Sequence, residues 1–550
     1  MTGIRYLQRV AGIVRGLAVG IVLLQAPERV TAQALCSTPG KDGPGGTLSG
    51  VVNTYYPGTA SAAAGSTTIV VGAARGSATT ITSGDLLLVI QMQDAAIDST
   101  NTGSYGDGVA GDPGSGYTAA NSSGLYEYVK ATNAVPAAGG SLTLQGTGTG
   151  SGLLNSYTNA AASGTQGQSR FQVVRVPQYS TATLGAGLTA SAWNGTTGGV
   201  LALDVSTVLS LGSATVSVNG LGFRGGGGRQ LAGGAGGSNQ DYRVLSILAF
   251  DAQKGEGIAG TPAFIYDPGT ATVVATGAEG YPNGSSARGA PGTAGGGGTD
   301  GNPSANDQNS GGGGGGNGGA GGMGGNSWAS NLNLGGFGGV SFPSSVARVV
   351  LGGGGGAGSR NNSAGAASSA GPGGGIVMIR AASVSGIGTI SADGGVGVAP
   401  DNDGGGGGGA GGTILVTTTA GNLTGLTLFA RGGRGTDAWA TQGAGTGCPT
   451  SANCSYHGPG GGGGGGAIFL SAAPTSSNVL GGANGTTTTA TNAFGATGGT
   501  AGTVVTASTP SQIPGGRSGA ECLGSPAPTP TPTDTPTSTP TNTPTLTATQ

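Results

Sequence analysis

Two hydrophobic patterns follow one another along the chain. Between Val51 and Trp193, short apolar runs are separated by turn residues: Thr67–Val71, Asp85–Met92 behind a Ser83-Gly84 turn, Leu125–Val129, Ser141–Leu144 and Phe171–Val176. Runs rich in Val, Ile, Leu, Tyr and Phe with such boundaries read as strands, and nothing after the N-terminal leader carries the apolar period of an amphipathic helix. Residues 35–195 are therefore predicted to form a β-sandwich-like or barrel-like module. From about Gly195 the pattern changes. A glycine run now feeds directly into a short aliphatic strand, at Gly198–Leu203, Gly373–Ile379, Asp403–Thr417 and Gly460–Leu470. A second strand ending in a turn follows at Thr215–Gly220, Thr389–Gly395 and Leu426–Gly433. Asn or Asp before Gly suits a tight turn. Residues 196–525 read as a degenerate repeat interrupted by long inserts such as 229–345, with neighbours stacking strand on strand.

A glycine run is a physical puzzle. Without a Cβ, glycine backbones can touch side by side. A run can adopt a left-handed threefold helix of the polyproline II type, rising about 3.1 Å per residue, with no hydrogen bond inside the strand. Unlike proline, glycine keeps its N–H and can bond laterally to a neighbouring run. Ordering six glycines costs roughly 6–12 kcal/mol, while each lateral bond contributes about 0.5–1.5 kcal/mol net. A lone run is thus a flexible linker, and only a packed bundle becomes ordered. The alternation with aliphatic strands predicts the bundle. The expected class is all-β: a β-sandwich-like module, then glycine-rich strand repeats with polyglycine II-type segments.

Composition narrows the function. Of 550 residues 126 are glycine, and only 8% are charged, with a net charge of −2. A nucleic-acid partner calls for a basic patch, and none is visible. Arg5, Arg9 and Arg15 precede the apolar stretch Leu17–Leu24 and the small residues of Ala32-Gln33-Ala34, which reads as a signal peptide over 1–34. That stretch is too short to span a bilayer, which takes about 20 residues, so no integral membrane segment is expected in the mature chain. Cysteines in an exported chain point to disulfides. The expected pairs are Cys448–Cys454, closing a small loop, and Cys36–Cys522, tying the ends of the folded body with roughly 5–6 kcal/mol on a chain-entropy model. From 526 to 550 a Thr-Pro repeat predicts an extended linker or stalk.

The phrases SGDLLLVIQMQDA, GLYEYVKA, FQVVRVPQYS and AWNGTTGGVLALDV, between Ser66 and Gly228, resemble the leading module of large secreted bacterial surface proteins. The GGGGGGAGG-type runs resemble the glycine-rich domain of certain receptor ectodomains and the polyglycine sandwich tips of phage fibre adhesins. These resemblances imply export and a surface or matrix role, and they bring no catalytic residues with them.

Searching for chemistry gives few candidates. The lone His457, near Ser455 and Tyr456, offers poor material for a catalytic triad, and nothing in the sequence pairs Asp85, Glu127, Asp204 or Asp251 as glycosidase carboxylates. Asp204 is expected to face solvent. Asp393, Asp401, Asn402 and Asp403 precede a long glycine run and offer oxygen ligands to Ca²⁺, with turn chemistry as the alternative. No other cofactor is expected. Trp328, Phe337, Phe342, Trp439 and Tyr456 lie in loops between glycine runs and can stack on sugars or anchor an interface, or else pack on the glycine layers. The expected role is a non-enzymatic secreted or cell-surface adhesin that binds an extracellular glycan or a cell-surface protein. A purely structural coat or fibre subunit and a diverged glycan-active enzyme are the alternatives.

Overall fold

The computed structural model describes residues 35–111, 113–439, 456–487 and 492–523. The expected signal peptide, the expected Cys448–Cys454 pair and the Thr/Pro segment expected to form a stalk lie outside these residues. The described chain is all-β apart from short 3-10 turns and one four-residue helix, Gly519–Cys522.

Three sheets lie in layers. A seven-stranded sheet holds the apolar runs seen in the sequence, including Leu86–Gln93, Tyr126–Ala131 and Arg170–Val176, all antiparallel. A long sheet is parallel and takes one strand from each repeat: Val200–Ser210, Ile376–Ser385, Thr413–Thr418, Ala467–Leu470 and Thr503–Val505. A four-stranded parallel sheet takes the second strand of each repeat: Thr215–Ser217, Gly388–Ser391, Leu423–Phe429 and Pro474–Asn478. Thr47–Val51 and Ala182–Thr189, both from the N-terminal part, extend the long sheet rather than the antiparallel one.

Alternation along each strand assigns side chains to layers. Val200, Met378, Leu415 and Phe469 join Leu88, Ile90, Tyr126 and Val174 of the antiparallel sheet in one core. Their neighbours Leu201, Ile379, Val416 and Leu470 join Val216, Ile390 and Leu428 of the short sheet in a second. The other face of the antiparallel sheet, with Leu87, Val89 and Val173, is covered by loop residues Ile81, Val135, Leu153 and Tyr157.

A sheet covered on both faces has no solvent side, which corrects the expectation for Asp204. It is 1% exposed and stands in register with Arg380 on the next strand, to which it is ion-paired at 2.5 Å. Arg380 lies 3.8 Å over the Tyr128 ring and donates to the Gly516 carbonyl oxygen at 2.8 Å, while Asp204 accepts from the Gly519 N–H at 2.9 Å. The buried charges thereby hold the C-terminal helix, and its Cys522 is disulfide-bonded to Cys36. Burial raises the Asp204 pKa although the Arg380 charge opposes it.

Between repeats the chain leaves the short sheet as one glycine tract and returns to the long sheet as another. The tract 404–412 shows how such a tract is held. The N–H groups of Gly404, Gly407 and Ala410 donate to Ser359, Gly356 and Gly353; those of Gly405, Gly408 and Gly411 donate to Gly458, Gly461 and Gly464; those of Gly409 and Gly412 donate to Gly395 and Ala392. The carbonyls of Gly405 and Gly408 accept from Gly312 and Gly315, those of Gly407 and Ala410 from Gly371 and Gly374, and those of Gly406 and Gly409 from Thr436 and Gly433. One tract therefore has six neighbours, each met again after three residues. That is the lateral bonding of a threefold polyglycine helix. Glycine is required here by contact: a Cβ on Gly407 would run into the Gly313 carbonyl oxygen, and one on Gly408 into that of Gly433. At the lattice surface the rule relaxes every third residue. Asp393 and Val396, Arg431 and Arg434, and Leu480 and Ala483 point outward from adjacent tracts, joined by bonds from Gly394 to Arg431 and from Gly432 to Leu480.

Candidate functional site

Where the tracts turn back, their loops carry the larger side chains. The Gly325 N–H donates to the Pro459 carbonyl oxygen at 2.7 Å, setting the loop after one tract beside the start of another. The Trp328 ring therefore stacks on His457, with centroids 5.7 Å apart and planes at 18°. Trp439 meets the same imidazole at 5.2 Å and 61°, and Tyr456 packs edge-on against Phe494 at 5.6 Å. Both tryptophans and Tyr456 are partly exposed, whereas His457 is buried. Burial lowers the His457 pKa to about 3, so the imidazole is neutral at ordinary pH. Its Nδ1 and the Trp328 Nε1 are buried without a hydrogen-bond partner among the described residues. The described neighbours of His457 are rings rather than a carboxylate, which is an arrangement for packing and stacking and not for proton transfer.

The other two aromatic candidates lie elsewhere. Phe342 is buried in the core beside Tyr117. Phe337 stacks on Tyr242 at 6.0 Å beneath the Arg288 guanidinium.

The calcium candidates are likewise divided between tasks. Asp393 is bonded to the Arg431 guanidinium at 2.6 Å and to its backbone N–H at 2.7 Å. Asp403 is buried and accepts from Asn309 Nδ2 at 2.7 Å and from the N–H groups of Asn361 and Ser363 at 3.0 and 2.8 Å, closing a loop. The Asn402 side chain accepts from Asn362, and the Asp401 N–H donates to Ser363. Among the described residues no group of three or more His, Cys, Asp or Glu is placed to hold a metal ion. Asp393 and Arg431 instead line an open groove of about 430 Å³ on the ruled outer face, with Arg434, Val396 and Leu480.

The four carboxylates considered for glycoside chemistry share no partner with one another. Asp85 is ion-paired with Lys41 and Arg175. Glu127 accepts from the N–H groups of Leu154 and Asn155 at 2.8 and 2.9 Å, Asp204 is held by Arg380, and Asp251 accepts from the Asp300 N–H at 3.3 Å.

Sequence reasoning missed the buried polar interior of the insert. Lys254 is fully buried, with its ammonium donating to the carbonyl oxygens of Tyr242, Ala287 and Gly289 at 2.6, 2.9 and 2.6 Å. No signal in the phrase FDAQKGEG separates it from a surface lysine. Among the described residues no helix is long and apolar enough to cross a membrane. No family model matches the chain, and neither the curated proteins nor the solved structures contain a match to it.

Proposed function

We propose that this is a non-enzymatic adhesin-like protein of the cell exterior, in which a glycine lattice holds binding loops in fixed positions. The observation that carries the reading is the meeting of Trp328 and Trp439 on one neutral, buried imidazole where the tracts end, with the Tyr456–Phe494 pair beside it in sequence. Flat, partly exposed rings fixed in this way suit the C–H faces of an extracellular glycan or the anchor residues of a cell-surface protein. The Cys36–Cys522 bond supports an oxidising compartment, where such bonds persist. The test is a glycan array and a cell-binding assay with the mature chain and a Trp328→Ala/Trp439→Ala variant. The variant is expected to bind about tenfold more weakly or worse. Equal binding by variant and parent would remove the aromatic loops from the account.

A second reading, a coat or fibre subunit, is favoured by one observation. Thr503–Val505 and Pro474–Asn478 are the terminal strands of their parallel sheets, and each has one edge paired with no described strand. Free edges invite strand addition. Filaments in purified protein, lost on placing a proline at Val504, would support that reading.

A further inference from the structure

Charge is scarce in this chain, yet three guanidiniums stand around the single turn Asn194–Thr197. Arg75 donates to the Thr197 carbonyl oxygen at 3.2 Å. Arg224 lies against Gly195 and is matched by Glu256 through two bonds of 2.7 and 2.9 Å. Arg170 donates only to neutral acceptors: Asn159 Oδ1 at 3.0 Å, the Ala160 and Ser169 carbonyl oxygens at 2.8 and 2.7 Å, and the amide oxygen of Gln168 at 3.0 Å once that amide is turned toward it. Neither Arg75 nor Arg170 has a carboxylate partner among the described residues. Of the three guanidiniums, only that of Arg224 is thus matched by a carboxylate. Arg170 and Arg224 line a cleft of about 350 Å³ whose opposite wall is the hairpin Phe264–Asp267 and Thr272–Ala275 with its following loop.

The rest of the lining is selective. The Thr196 hydroxyl donates to Asn194 Oδ1 at 2.9 Å and that of Thr276 to the Pro262 carbonyl oxygen at 2.8 Å, which leaves both oxygens as acceptors. Val274, 40% exposed, gives the cleft an apolar wall. We propose that this cleft binds a carboxylate-bearing sugar unit of an acidic polysaccharide, with the carboxylate on the Arg170 and Arg224 side and ring hydroxyls donating to Thr196 and Thr276. Acceptor oxygens set apart from the cations favour a ligand with several hydroxyls at a distance from its single negative charge, as on a uronate ring, over inorganic phosphate, whose one or two O–H groups sit on the charged centre itself. Burial disfavours the Arg170 charge, so an approaching anion compensates a cost the fold already bears. The site is separate from the aromatic loops and does not depend on their role.

The experiment is calorimetric titration of the full mature chain with trigalacturonate, maltotriose and inorganic phosphate. Trigalacturonate is expected to bind, more weakly as salt is added, with no heat from maltotriose and weaker binding of phosphate. Arg170→Gln and Val274→Glu change two positions of the cleft lining, and melting checks that each variant folds. Each is expected to weaken trigalacturonate binding by about tenfold or more, while Trp328→Ala/Trp439→Ala leaves it unchanged. Absence of trigalacturonate binding, equal binding of maltotriose, tighter binding of phosphate, an unaffected Arg170→Gln or Val274→Glu variant, or loss of binding in the tryptophan variant would each overturn the proposal.

Discussion

Leu415 and Gly408 are seven residues apart on one stretch of chain, and different forces hold them. Leu415 is buried in a core between two sheets, where apolar area removed from water stabilises the strand. Gly408 has no side chain to bury; it donates to Gly461 and accepts from Gly315, among tracts whose carbonyl oxygens leave no room for a Cβ. The strand half of each repeat tolerates many side chains of suitable size. The tract half, inside the lattice, tolerates almost none, because its packing unit is the backbone. The strands supply the anchorage that an isolated glycine run lacks: each tract enters a buried strand, which fixes one end and offsets part of the ordering entropy.

The sharpest way to break this comparison is Gly407→Val. Its side chain would displace the Gly313 carbonyl and disturb the bond to Gly356. The expected loss is about 5 kcal/mol or more, beyond ordinary core truncations, with tract amides such as Gly405, Gly408 and Gly411 losing hydrogen-exchange protection. Protection equal to that of an unstructured chain in the parent protein would refute the lattice itself. Leu415→Ala tests the strand half and is expected to cost about 2–5 kcal/mol in denaturant unfolding. Acid titration of stability probes the loops beyond both. His457 has a pKa of about 3 in the fold against an ordinary 6.5, so the unfolded chain takes up a proton that the fold refuses, and stability falls as pH drops through that window. Burial raises Asp300 to about 6 from 3.8, so its contribution is fully present below 3.8 and is lost as pH rises through 6. Between pH 7 and 4.5, His457→Gln should remove a destabilisation on the order of 2–3 kcal/mol, and Asp300→Asn an opposite change of about 2 kcal/mol. The smallest effect is expected from Met323→Ala, at a partly exposed tract position, within about 1 kcal/mol of the parent.

Much of this architecture is legible in the sequence because the central strands are continuous apolar runs. Leu86–Gln93 is buried at every position, and Ile376–Ile379 and Ala467–Leu470 follow glycine without a break. The edges are not legible. Thr47–Val51, Arg75–Gly76 and Pro474–Asn478 are half-exposed and polar, and a strand held mainly by its ladder leaves little trace in side-chain pattern. Asp204 misleads because its pairing with Arg380 joins residues 176 apart, and only the register of two parallel strands shows it. The glycines of 292–298 and 311–325 look like insert yet belong to the same lattice, since periodicity shows that a run can bond but not which run it meets. For the site, loop aromatics are easy to find. That Trp328 and Trp439 share His457 while Phe342 enters the core depends on which tracts lie side by side.

The recurrence of each neighbour after three residues constrains how such a chain can lengthen or shorten. Removing one residue from the 404–412 tract rotates everything beyond it by a third of a turn, aiming N–H groups at the wrong partners and outward residues at the interior. Removing three restores the alignment and shortens the tract by about 9 Å. Length change in the tracts is therefore expected in whole triplets, while the loops that join them are free to vary one residue at a time.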